Sequence, residues 1–96
     1  MQNFIKGTFE LDKNVKDLIV YEGEKKSDIL RIFEWGDKFN VSISVGTAGD
    51  DTYICDYYIV SETKDICNDL LKALKKMLKE VFPYVKSLWQ EKGECY

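Results

Sequence analysis

The sequence predicts an α+β fold: a five-stranded antiparallel meander followed by one long C-terminal helix, kinked or broken at Pro83 and packed on one sheet face. Two observations predict it. Ile66, Cys67, Leu70, Leu71, Leu74, Met77, Leu78, Val81 and Phe82 recur at helical spacing, while Lys72, Lys75, Lys76 and Lys79 occupy the opposite side. The residues before Thr63 instead form short runs rich in branched and aromatic side chains, separated by Gly, Asn and Asp.

The elements follow in order. Residues 3–11 alternate, with Ile5, Phe9 and Leu11 on one side and Phe4, Lys6, Thr8 and Glu10 on the other. Residues 17–22 read as a second strand, 23–27 as a polar loop, and 28–35 as a third strand ended by a Gly36-Asp37 turn. Residues 38–45 alternate most cleanly, with Phe39, Val41, Ile43 and Val45 inward, and residues 52–60 make the fifth strand. Ser61 and Thr63 both suit the helix N-cap, and Asp65 suits its first turn. Beyond Pro83, Val85, Leu88 and Trp89 keep the helical phase, so either a kinked continuation or a short second helix starting at Pro83 is expected, with some of these residues overhanging the sheet. No linker or repeat divides residues 1–96, and a single α+β domain is expected.

A two-residue turn at Gly36-Asp37 pairs Trp35 with Lys38. That register puts Leu30 and Ile32 on the core side with Val41 and Ile43, and sends Phe33 and Trp35 outward. Burying Asp56 without a partner is costly, so Tyr53, Cys55, Tyr57 and Ile59 face in and Ile54, Tyr58 and Val60 face out. The outer face thus collects Phe4, Ile19, Tyr21, Ile29, Phe33, Trp35, Ile54, Tyr58 and Val60, where a single-layer sheet ordinarily presents polar groups to water. Aromatic residues in one contiguous patch are the composition of a protein interface.

Function classes narrow by exclusion. With no histidine in the chain, a cysteine nucleophile lacks its usual base and a zinc site its usual ligands. Cys55, Cys67 and Cys95 include no CxxC pair, and Cys55 and Cys67 read as small buried residues of a reducing compartment. Gly46-Thr47-Ala48-Gly49 lacks the GK[ST] ending of a phosphate loop. Residues 1–63 hold 7 Lys/Arg against 12 Asp/Glu, an acidic sheet that disfavours nucleic acid as partner. No leader or membrane-length apolar run is seen, which predicts a cytoplasmic protein without membrane contact.

Five strands and a helix resemble, in topology alone, the single-strand DNA-binding coactivators, whose sheets are basic where this one is acidic. Size, mild acidity and exposed aromatics are similar to those of stoichiometric inhibitors, such as phage proteins that block host defences or immunity proteins that block toxins. The sequence reading is therefore a non-enzymatic protein-binding module acting by occlusion, without cofactor or metal, in the host cytoplasm if viral. Its partner is another protein or a second copy in a homodimer, and its contact residues are Tyr21, Phe33, Trp35, Tyr58, Val85, Leu88 and Trp89. The alternative is a small-ligand binder or enzyme with a pocket between sheet and helix, using Tyr53, Tyr57 and Asp56.

Overall fold

A computed structural model describes residues 2–12, 22–47, 52–82 and 84–95. Among the described residues, four strands and two helices follow in the order β1 (Gln2–Asp12), α1 (Glu22–Phe39), β2 (Ser42–Thr47), β3 (Thr52–Ser61), α2 (Lys64–Val81) and β4 (Val85–Cys95). The strands form one antiparallel sheet in the order β2-β3-β1-β4. Each helix connects two strands that flank a third, the split βαβ arrangement of ferredoxin-like folds. The expected meander with one long C-terminal helix is therefore corrected at two places.

The first is residues 22–39, expected as a loop and a third strand and found as a helix. Ile29, Ile32, Phe33 and Gly36 stand at i, i+3, i+4 and i+7, a helical spacing that a short apolar run does not distinguish from a buried strand. Gly36 and Asp37 are not a hairpin turn. The helix runs through them to Phe39, and Asn40 then takes the left-handed conformation at φ 57°. The Val41 N–H donates to Gly36 O (2.8 Å) and the Asn40 N–H to Asp37 O (3.4 Å), the paired bonds of a Schellman ending. A side chain at Gly36 would meet the Val41 carbonyl oxygen at 2.8 Å and Ile43 Cδ1 at 3.2 Å, so a bare Cα lets α1 lie close on β2. The strand expected at 38–45 accordingly begins later, at Ser42. The strand expected at 17–22 falls, up to Tyr21, outside the described residues.

The second correction lies after Val81. Of the two candidate caps, Ser61 and Thr63, it is Thr63 that caps α2, its Oγ1 accepting from the Ile66 N–H at 3.1 Å. At the other end Phe82 is already extended (φ −118°, ψ 140°) while its N–H still donates to Leu78 O. Pro83 follows in the sequence, and a proline disfavours helical backbone in the residue before it. The chain then enters β4 and pairs with β1 along its length. Neither a kinked continuation nor a short second helix exists, and no helix overhangs the sheet there.

The strands at 2–12 and 52–61 have the faces their alternation implied. Ile5, Phe9, Leu11, Cys55, Tyr57 and Ile59 are buried against Cys67, Leu71, Leu74 and Leu78 of α2, with Ile32 of α1, Val41 and Phe82 completing the core. Each such side chain contributes about 1.5–3 kcal/mol before entropy is set against it. Both helices pack on this side. No described element covers the other side of the sheet.

Candidate interaction surface

Register builds the uncovered face row by row. Val60, Phe4 and Gly93 are neighbours across β3, β1 and β4. Next come Ser42, Tyr58, Lys6 and Glu91, then Ser44, Asp56, Thr8 and Trp89, and last Gly46, Ile54, Glu10 and Lys86. Directly paired residues point to the same side of a sheet, so these rows share one surface.

The rows hold one another in place. The Phe4 ring lies over Gly93, where a Cβ would fall 2.8 Å from its edge, and stacks beside Tyr58 with centroids 5.8 Å apart and planes 9° apart. Lys6 Nζ sits 5.7 Å from the Phe4 centroid and 3.4 Å from Glu91 Oε2, so one cation meets both a ring and a carboxylate. Thr8, only 5% exposed, donates its hydroxyl to Asp56 Oδ1 at 2.5 Å. These short-range contacts restrict the side chains they join. Trp89 and Tyr58 nevertheless remain 49% and 38% exposed.

Of the residues the sequence singled out, Tyr58 and Trp89 come together on this face. Leu88 lies next to Trp89 at a bulge opposite Thr8 and Phe9, and is exposed. Val85 pairs with Leu11 and packs against the core instead. Phe33 and Trp35 belong to α1, not to the sheet. Phe33 is 37% exposed, and Trp35 packs on the core beside Phe39 with ring centroids 5.0 Å apart. Their outward placement failed because the Trp35–Lys38 hairpin does not form. Tyr21 lies outside the described residues. Lys6, Glu91 and Gly93 were not foreseen as site residues and become legible only when residues 85–95 are read as a strand opposite β1; the pairing of Thr8 with Asp56 follows from the register of β1 on β3.

The pocket of Tyr53, Tyr57 and Asp56 is not assembled. Tyr53 and Tyr57 face the helices, and Asp56 points to the uncovered side. Burial raises the Tyr53 and Tyr57 hydroxyls above their ordinary range, with Cys55 adding to the effect at Tyr57. Burial, reinforced by the Asp56 charge, pushes the Cys55 thiol up to about 12, and burial raises Cys67 despite a backbone hydrogen bond at Ser61. Thiols held protonated are poor nucleophiles. A recess of about 220 Å³ opens between β1, α2 and β4, lined by Asn3, Ile5, Cys67, Asn68, Lys92 and neighbours. Lys92 Nζ donates to Asn68 Oδ1 there at 3.1 Å. Among the described residues no three of His, Cys, Asp and Glu cluster as metal ligands, and no helix is long and apolar enough to cross a membrane.

No protein-family model matches the sequence, and no curated protein does. Among solved structures the chain is similar to a de novo designed protein, Foldit4, with a TM-score of 0.63 at 10% sequence identity, covering 100% of each chain. At that identity the likeness concerns the fold alone.

Proposed function

We propose that this chain is a non-catalytic protein-binding module that acts by occlusion, as small stoichiometric inhibitors do, and that its contact surface is the uncovered face of the sheet. The observation that carries this reading is the exposure of Tyr58 and Trp89 on that one face, with Tyr58 stacked on the half-buried Phe4 ring. Rigid aromatics around a braced ion pair suit a protein partner, because they bury large areas at little entropic cost. The same rings could stack on bases, but Glu10, Asp56 and Glu91 outnumber Lys6 and Lys86 there, the wrong balance for a phosphate backbone.

The test compares proteins captured from a lysate by the parent chain with those captured by Tyr58→Ser/Trp89→Ser and by Lys75→Ser/Lys79→Ser on the far side. The reading expects one partner, bound in a fixed ratio, to be lost with the sheet-face pair and kept with the helix pair. All three chains are first matched for thermal unfolding. Loss with the helix pair alone would move the contact surface to α2.

A further inference from the structure

The two edges of the sheet are unequally guarded. β4 carries Lys86, Glu91, Lys92 and Glu94 and a bulge at Leu88, devices that keep an open edge from pairing with another chain. β2 has none of them. Its residues, Ser42-Ile43-Ser44-Val45-Gly46-Thr47, include no charge, no proline and no bulge, and among the described residues it pairs only with β3.

β2 is also complementary to itself. In an antiparallel pair about a two-fold axis, partners must share a face, so the axis passes through a residue and not between two. With the axis at Ser44, Ile43 of each copy lies opposite Val45 of the other, and Ser42 opposite Gly46. Moving the axis to Val45 would set Ile43 against Thr47 and lose one apolar pair. Ile43 and Val45 are only half-buried in the isolated chain, while Ser44 is exposed. Beside this edge, Phe33 and Asp37 of α1 line a recess with Ser42 and Ile43 to which β3 contributes nothing, so it opens outward from β2. A helix docked from a second copy would cover Phe33, which is left 37% exposed.

We infer that two copies of this chain join through their β2 edges, with Ser44 on the two-fold axis and the α1 helices side by side over Phe33. The product is a continuous eight-stranded sheet. Its uncovered faces lie on the same side, so the pair presents two of the surfaces described above and leaves each free. The inference stands without that surface having any partner.

The experiment is the mass of the full chain in solution by sedimentation, from micromolar to millimolar concentration. The parent chain is expected to dimerise. Ser44→Lys and Ser44→Asp each set like charges across the axis and should weaken the dimer at least tenfold, while mixing the two variants should restore it as a heterodimer. Both substitutions sit at an exposed strand position, and thermal unfolding checks that each monomer still folds. A parent chain monomeric to millimolar concentration overturns the inference and leaves the edge to an extended segment of another protein. A dimer indifferent to both substitutions, or one lost in both and not rescued by mixing, overturns it as well.

Discussion

Tyr57 lies across the core because Gly7, its partner on β1, has no side chain: a Cβ there would meet the Tyr57 hydroxyl at 2.6 Å. The ring stacks on Phe9 with centroids 5.0 Å apart, but its buried hydroxyl has no hydrogen-bond partner among the described residues. Tyr57→Phe should therefore leave the fold intact and raise stability by about 1 kcal/mol, since it removes an unpaired buried polar group; thermal or urea unfolding measures it. Gly7→Ala should act in the opposite direction by about 1–3 kcal/mol, through overpacking. Cys55 gives a pH signature. Its folded-state thiol is raised from 9.0 to about 12. Below pH 9 both folded and unfolded thiols hold their protons and stability is unaffected. Above it the unfolded chain loses a proton that the folded chain keeps, so stability falls as pH rises from 9 toward 12. Cys55→Val should flatten part of that alkaline slope in unfolding curves, with buried Tyr57 accounting for part of the remainder. The inward turn of Cys55 and Tyr57 was legible in sequence, because the alternative buries Asp56. The role of Gly7 was not, because it depends on a partner 50 residues away.

At the scale of elements, β1, β3 and α2 were readable because each has one dominant period. Residues 22–39 were not. Their apolar spacing fits a helix as well as a strand, and the ending is written in Asn40, which reads equally well as a polar strand position. Asn40→Ala should destabilise the chain by about 1 kcal/mol and Asn40→Gly should be close to neutral, since Gly accepts the left-handed backbone. β4 misled for a different reason. Val85, Leu88 and Trp89 stand at i, i+3 and i+4 in the sequence, a helical signature, while the bulge at Leu88 turns Val85 to the core side and Trp89 to the other. Pro83 was the better signal, since the residue before a proline avoids helical backbone and a helix ends there more readily than it bends.

For the whole molecule, the order β2-β3-β1-β4 leaves one sheet face to the helices and one without a described cover. The expectation of an aromatic outer face was reached from five strands, and the face that exists is built from four. It keeps Phe4, Ile54, Tyr58 and Val60 from β1 and β3, loses Phe33 and Trp35 to α1, and gains Trp89 from a segment expected to be helical. Which of these residues share a surface was beyond the sequence, because β4 reaches β1 only through pairing between opposite ends of the chain. The formal charge of −3 is too small to choose a partner by itself. The most direct measurement is side-chain footprinting of the chain alone and in complex with the protein it captures. Phe4, Tyr58 and Trp89 should be protected together on binding while the α2 lysines keep their reactivity; protection of α2 with Tyr58 and Trp89 unchanged would contradict the sheet-face surface.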